Sequence, residues 1–206
     1  MRNYKDLNID YQGGNLWCED LDLSSLSGCP NHITGGFDCG NSKLSNLVDG
    51  PQIVDSYYNC VKAELTSLVG CPDYISGYFD CSDNQISTLI HGPQRVDGCY
   101  WCSNNRLTDL VGCASHIEKT LSVNNNQITS LVGIHKIIKN CTRIEFDSSK
   151  ITQGGIGLLL IDNLTDIASD STPFKIIKNY LGTGTKGMMA CRSELIANGY
   201  DAYAKL

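Results

Sequence analysis

The sequence predicts a solenoid of stacked units, because apolar residues recur at a fixed spacing of 21 residues over most of the chain. The spacing is clearest in a cysteine-rich row that consists of Cys18, Cys39, Cys60, Cys81, Cys102, Val123 and Ile144. A second row, two residues earlier in each unit, consists of Leu16, Phe37, Tyr58, Phe79, Tyr100, Leu121 and Thr142. Three more apolar rows begin at Leu23, Leu26 and Ile33.

The units also match the pattern LxLxxNxL, which is the signature of leucine-rich repeats. In the fourth unit Phe79 and Cys81 lie two residues apart, so on a strand both point into the core. Asn84 then stands where the chain leaves the strand, and its amide can bond backbone groups there. Ser42 and Ala63 replace the asparagine in early units, where we expect looser turns. The predicted fold class is a leucine-rich-repeat solenoid with a parallel β-sheet on one face.

Glycine and proline mark the path by which the chain returns in each unit, as in Gly28-Cys-Pro30 and Gly50-Pro51. These residues exclude a regular helix, so mostly irregular return segments are expected. A second short strand is possible in each return segment, at Ile33, Val54, Ile75 and Val96.

Three regions follow from the repeat. Residues 1–15 are atypical and are expected to form an N-terminal cap, residues 16–150 carry the repeats, and residues 151–206 are expected to form a helical C-terminal cap. Within the last region the pattern predicts helices near 155–162, 173–181, 186–198 and 200–205.

Charge is unevenly distributed. Residues 1–100 contain five Lys and Arg against 13 Asp and Glu, a net of −8, whereas residues 101–206 contain eleven against nine, a net of +2. The acidic half disfavours nucleic acid and favours a protein partner with a basic patch.

The start, MRNYKDLNID, has no apolar signal region, and no apolar run has the roughly 20 residues of a membrane span. We therefore expect a cytoplasmic protein without a membrane partner.

The residues do not indicate catalysis, a metal or a cofactor. Most of the eleven cysteines are expected to be small buried apolar residues, because in-register strands hold their Cβ atoms too far apart for a disulfide. Cys99 and Cys102 face opposite sides of a strand and cannot converge on one metal. The GxGxxG match at 182–187 follows a predicted helix rather than a strand, so we interpret it as a loop.

The strand positions between the core rows face away from the core, and we call this surface the outward face. Two rows at the 21-residue spacing define it: Trp17, Asp38, Asn59, Asp80, Trp101, Ser122 and Arg143, and Asn15, Gly36, Tyr57, Tyr78, Cys99, Thr120 and Cys141. Aromatic residues with a charged rim are typical of interaction hot spots, although aromatic residues also suit strands by propensity. The predicted partner-binding residues are Trp17, Asp38, Tyr57, Asn59, Tyr78, Asp80 and Trp101.

The repeat units resemble those of a group of tailed-bacteriophage leucine-rich-repeat proteins. Ile75-Ser-Gly-Tyr-Phe-Asp-Cys-Ser-Asp-Asn-Gln-Ile86 and Leu65-Thr-Ser-Leu-Val-Gly-Cys-Pro72 carry the likeness, and the tail shares it through Gly157–Ile161 and Gly199–Leu206. The resemblance implies a phage protein expressed in a bacterial host and assigns no catalytic residue. Three functions stay open: binding of a host protein, with inhibition of a host defence factor as one outcome; a structural or assembly role in the virion; and, less favoured, an enzymatic activity in the tail.

Overall fold

A computed structural model describes residues 2–206 as a parallel β-solenoid of about eight turns. One eight-stranded sheet, which we call the main sheet, runs the length of the solenoid, and every neighbouring pair of its strands is parallel. The predicted parallel sheet on one face is therefore confirmed. In chain order its strands are Leu16–Trp17, Phe37–Asp38, Tyr58–Asn59, Phe79–Asp80, Tyr100–Trp101, Thr120–Ser122, Arg143–Glu145 and Asp166–Ala168.

The register follows the 21-residue spacing from Leu16 to Leu121 and then lengthens. Leu121 lies opposite Ile144, and Ile144 lies opposite Ile167, so the last two steps are of 23 residues. The prediction that Ile144 continues the cysteine row and Thr142 the row before it is therefore wrong. A four-residue helix, Ile134–Ile137, lies within the return segment before Ile144 and accompanies the longer step.

Short strands also form in the return segments, and we call them the second ladder. His32–Ile33 pairs with Ile53–Val54, and Tyr74–Ile75, Arg95–Val96 and His116–Ile117 form a group of three. The predicted second strands at Ile33, Val54, Ile75 and Val96 are thus confirmed. Apart from these strands and the short strands Leu23–Ser25 and Ser130–Leu131, the return segments up to residue 133 consist of turns and irregular backbone.

The core lies between the main sheet and the return segments. Buried rings of Phe37, Tyr58, Phe79 and Tyr100 stack edge to face along it, with centroids 5.0, 5.9 and 5.1 Å apart in turn. The cysteines of the next row are fully buried beside them, and so are the leucines of the return side, such as Leu68. Burial of one apolar residue per row in each turn is the main stabilising contribution of the stack.

Buried asparagines close the turns after the strands. The Asn105 side chain donates to the carbonyls of Cys81 and Cys102, at 3.0 and 3.2 Å, and its Oδ1 accepts from the amide of Ile86 at 2.9 Å. Asn84 and Asn126 do the same one turn away. Each amide therefore joins two turns through backbone groups that no strand pairing satisfies.

The C-terminal segment combines strand and helix. Its elements are the 3₁₀ helix Ile156–Leu160, the main-sheet strand Asp166–Ala168, the helices Thr172–Lys178 and Gly184–Ala197, and the 3₁₀ helix Asp201–Ala204. The predicted helices have counterparts here, but the strand was not predicted, and the main sheet continues past residue 150. Phe174 packs against Phe146 and Tyr203, with ring centroids 4.8 and 5.7 Å away, which ties the helices to the solenoid.

Remaining elements lie at the ends of the stack. Near the N-terminus Arg2–Asn3 pairs with Leu23–Ser25 and is followed by the 3₁₀ helix Tyr4–Leu7, whereas Met1 of the predicted 1–15 cap lies outside the described residues. Near the other end Ser130–Leu131 pairs with Gln153–Gly154. No helix within residues 2–206 is both long enough and apolar enough to pass through a membrane.

Candidate functional site

The outward face of the main sheet carries a continuous row of four aromatic side chains. The rings of Tyr57 and Tyr78 stack in parallel, with centroids 4.9 Å apart and planes 5° from each other. The ring of Trp101 follows at 5.3 Å from Tyr78, tilted by 43°. At the other end Trp17 is 60% exposed and donates from Nε1 to the Tyr57 hydroxyl at 3.2 Å. The structure thus brings together Trp17, Tyr57, Tyr78 and Trp101, as the sequence predicts.

Gly36 allows this row to cross a strand that has no aromatic residue. Trp17 and Tyr57 belong to turns on either side of the strand Phe37–Asp38, and Gly36 precedes that strand. A Cβ atom at position 36 would overlap the Tyr57 ring, so the ring lies directly over this backbone. Sequence reasoning places Gly36 in the row but misses its role, although a glycine between two aromatic positions is a signal of such close packing.

The two aspartates of the outward face do not form the exposed acidic rim that the sequence predicts. Asp38 is only 8% exposed, and its carboxylate accepts hydrogen bonds from Asn59 Nδ2 at 2.8 Å and from the backbone amide of Gly40 at 2.9 Å. That prediction for Asp38 is wrong, because the neighbouring backbone and the Asn59 amide enclose the carboxylate. Asn59 is half-buried and is held in place by this bond.

Asp80 is the more available carboxylate of the face. It is half-buried, and its Oδ1 accepts from the backbone amide of Ser82 at 2.9 Å. Burial raises the pKa of Asp80 above its usual value, while the hydrogen bonds with Ser82 partly lower it. Burial also raises the pKa of Tyr78, with the nearby Tyr57 and Asp38 adding to the effect. A positive group brought against Asp80 would offset the cost of holding its charge in this partly dry position.

Polar and charged residues continue the outward face towards the C-terminal end. The register places Ser122 opposite Glu145 and Thr120 opposite Arg143, so the prediction that Arg143 and Cys141 fill these rows is wrong by two residues. The cause is the 23-residue step from Leu121 to Ile144, which also shifts the core rows. Arg143 pairs with Glu145 at 2.8 Å and with Asp166, and this ionic cluster lies two strands beyond Trp101 in the main sheet.

The cysteines are free and mostly buried. Cys39, Cys60 and Cys102 each donate from Sγ to a carbonyl of the next strand, at 3.3 to 3.5 Å. Burial raises the pKa of Cys18 to about 12 and that of Cys39 well above its usual value. Since the thiolate is the reactive form, these positions suit packing rather than chemistry.

The other motifs lie away from the aromatic row. Within residues 2–206 no three His, Cys, Asp or Glu side chains are grouped so that they could hold a metal ion. Of the segment 182–187, only Gly182 and Thr183 lie between the helices Thr172–Lys178 and Gly184–Ala197, and residues 184–187 form the first turn of the second helix. The loop interpretation is therefore wrong for residues 184–187, although a helix rather than a strand precedes the segment, as the sequence predicts. His32 Nε2 lies within hydrogen-bond distance of Asp55 Oδ2, at 2.8 Å, beside the second ladder.

Comparison with protein-family models, with curated proteins and with solved structures gives no match to this chain.

Proposed function

We propose that the chain is a non-enzymatic binding protein of the leucine-rich-repeat class, encoded by a bacteriophage, that captures a host protein through the outward face of the main sheet. The observation that carries the proposal is the row Trp17, Tyr57, Tyr78 and Trp101, packed ring against ring on the side of the sheet away from the core. These side chains add little to the core from that side, whereas large rings in contact with each other form a preorganised surface for a partner.

The chemistry of the face favours a partner that presents Arg or Lys. Asp80 lies beside the rings, and the N-terminal half of the chain carries a net charge of −8. A guanidinium group can stack on an indole or phenol ring and at the same time bond a carboxylate. The proposed partner is therefore a host protein with a basic patch, bound in the bacterial cytoplasm. Inhibition of a host defence factor is one consequence that such capture would have.

Two structural roles complete the proposal. The helices after residue 170 would act as a C-terminal cap, because Phe174 and Tyr203 cover the last turns, and Tyr203 donates to the carbonyl of Ile151 at 2.7 Å. Residues 2–15 would cap the opposite end through the strand Arg2–Asn3. Uncapped solenoid ends expose sheet edges and core residues, so both caps would protect against aggregation.

A structural or assembly role in the virion is the second candidate. A solenoid with paired strands along its length is also suited to serve as a structural component of a particle. Mass spectrometry of purified virions distinguishes this structural role from the binding role. Abundant peptides from this chain in the particle support the structural role. Their absence from the particle, together with a partner captured from infected cells, supports the binding role.

The binding role is tested by affinity capture from infected cells with wild-type protein and the variants Trp101→Ala and Tyr78→Ala. Each should weaken capture by about 2 kcal/mol or more, roughly thirtyfold, if these rings are hot spots. Val111→Ala is the matched control, since Val111 is exposed on a return segment rather than on the main sheet. A double variant that captures the partner at wild-type strength, with an unchanged melting temperature, rules out the outward face.

A further inference from the structure

A row of five β-branched side chains is exposed along one side of the solenoid. Its members lie on successive turns, 21 residues apart, and each is 40–50% exposed: Val48, Val69, Ile90, Val111 and Val132. Each backbone amide of the row donates to a side-chain oxygen two residues earlier, as Val111 N does to Asp109 Oδ1 at 2.9 Å. The row is therefore held in place before any partner arrives, and a contiguous exposed apolar row is typical of an interaction surface.

Two polar rows run beside the apolar row on the same segments, and we call the three rows together the flank. One polar row consists of exposed Ser and Thr: Ser45, Thr66, Ser87, Thr108, Thr129 and Thr152. The other consists of exposed charged and amide side chains: Asp22, Lys43, Glu64, Gln85, Arg106, Gln127 and Lys150.

Backbone hydrogen bonds between turns fix the spacing of the flank. The amides of Lys43, Gln85, Arg106 and Gln127 each donate to a carbonyl of the preceding turn, at 2.7 to 2.8 Å. Neighbouring members of a row are therefore separated by about one strand spacing, roughly 4.8 Å.

The apolar row is self-complementary about a two-fold axis at Ile90. When two copies face each other with their stacks antiparallel, Ile90 meets its own counterpart, Val69 meets Val111, and Val48 meets Val132. The row has the same residues in both directions, so every contact along it joins two apolar side chains. Such a surface forms the isologous interface of a C2 dimer.

The charged row is complementary about the same axis. Asp22 of one copy lies opposite Lys150 of the other, Glu64 lies opposite Arg106, and Lys43 lies opposite a neutral glutamine. Because the axis generates each pairing twice, the dimer contains four contacts between a carboxylate and a basic side chain. The Glu64 carboxylate forms no ion pair within residues 2–206, so it is available for a second copy.

The size of the flank suits a weak dimer. Six steps of about 4.8 Å give a length of about 29 Å, and five residues of about 3.3 Å each give a width of about 16 Å. Two such surfaces in contact bury roughly 1,000 Å², less than the roughly 1,600 Å² of a standard interface. We therefore expect association in the micromolar range or weaker.

We propose that the flank is a dimer interface, on which a second copy of this chain packs antiparallel about a two-fold axis at Ile90. The flank and the main sheet are different sides of the solenoid, so dimerisation leaves both aromatic rows uncovered. The inference does not depend on the function proposed for the outward face. A photocrosslinker on the flank, for example at Val111, should join two copies of the chain and not a host protein.

The first test is sedimentation velocity of the full chain in reductant, from about 5 to 500 μM, a range chosen for an interface of this size. The expected result is a reversible monomer–dimer equilibrium that shifts towards monomer as salt is added, because the ionic contacts lie at the rim. A chain that stays monomeric throughout this range would overturn the proposal.

Two charge reversals then identify the surface. Glu64→Arg places arginine opposite arginine twice across the axis, and Arg106→Glu places glutamate opposite glutamate twice. Each variant alone should raise the dissociation constant at least about tenfold. An equimolar mixture of the two variants should dimerise at about wild-type strength, because opposite charges then meet between unlike copies. Glu118→Arg makes the same change beside the second ladder and should leave dimerisation unchanged.

A third variant tests the apolar centre of the interface. Ile90→Asp brings two carboxylates together on the axis and should also weaken dimerisation at least about tenfold. Wild-type dimerisation by Ile90→Asp or by either charge reversal would overturn the proposal. So would a mixture that associates no better than its components, or a larger effect from Glu118→Arg than from Glu64→Arg. A host protein crosslinked to Val111 in place of a second copy would likewise overturn it.

Discussion

Replacement of Asn105 by alanine is expected to destabilise the solenoid by about 2–4 kcal/mol. The side chain is buried, and its Oδ1 is the partner of the Ile86 amide, which no other group in the described chain replaces. An orphaned buried donor costs about 1–3 kcal/mol. The carbonyls of Cys81 and Cys102 each keep one bond, from Asn84 and Asn126. Loss of the two Asn105 hydrogen bonds to these carbonyls therefore adds only about 0.5 kcal/mol apiece, the low end of the net contribution of a hydrogen bond.

Ser42→Ala provides the matched control, because Ser42 occupies the same place in an earlier unit. Its hydroxyl is buried and makes a single bond, to the carbonyl of Cys39 at 2.7 Å. The expected cost is therefore about 1 kcal/mol. Urea unfolding followed by circular dichroism gives both values, and hydrogen exchange at Ile86 shows whether the loss is local. An Asn105→Ala variant no less stable than Ser42→Ala would refute the assignment of the asparagine to joining adjacent turns.

Three further predictions concern the core, the thiols and the acidic side chain of the outward face. Leu68→Ala, at a fully buried position, should lower the unfolding free energy by about 2–5 kcal/mol, and a change near zero in denaturant melts would contradict the core register. Iodoacetamide at about pH 8 should leave Cys39, Cys60, Cys81 and Cys102 unmodified in the native chain, because burial raises the pKa of these thiols and keeps the reactive thiolate scarce. Peptide mass spectrometry measures the modification, and alkylation of these four cysteines without unfolding would contradict this prediction. Folding raises the pKa of Asp80, so the charged carboxylate lowers the free energy of unfolding at pH values above the folded-state pKa. This destabilisation decreases as the pH falls through the folded-state pKa and the carboxyl group becomes protonated. Asp80→Asn should thus raise the melting temperature at pH 7, with a smaller gain near about pH 4, and an equal shift at both values would remove burial as the cause.

Much of the fold could be predicted because each turn buries the same kinds of residue at the same positions. The apolar rows from Leu16 to Leu121 specify the register of six strands, and alternation along a strand separates core from outward positions. The aromatic row follows from the same two rules, since a fixed spacing aligns Tyr57 with Tyr78 on adjacent strands.

Where the repeat changes length, the same reasoning fails. The helix Ile134–Ile137 accompanies a 23-residue step, and no single residue type marks that change in advance. The segment Asp166–Ala168 has only one core residue, Ile167, so its sequence shows no strand pattern. It forms a strand because it pairs with the adjacent main-sheet strand Arg143–Glu145. Burial of Asp38 was missed because it depends on a hydrogen bond with Asn59 of the next turn.

The interruption of the second ladder was also not predicted. Proline does not mark it, because Pro51 and Pro93 precede paired strands in the same place where Pro72 precedes Tyr74–Ile75. Only the backbone bonds reveal that Tyr74–Ile75 is not paired with Ile53–Val54.

Site-specific photocrosslinking in infected cells tests the central claim most directly. A benzoylphenylalanine in place of Tyr78 puts the reactive group in the middle of the aromatic row, and the same residue in place of Val111 puts it on an exposed return segment. The proposed function predicts a covalent adduct with one host protein from position 78 and none from position 111. An adduct from position 111 alone, or adducts of equal yield from both positions, would contradict binding through the outward face.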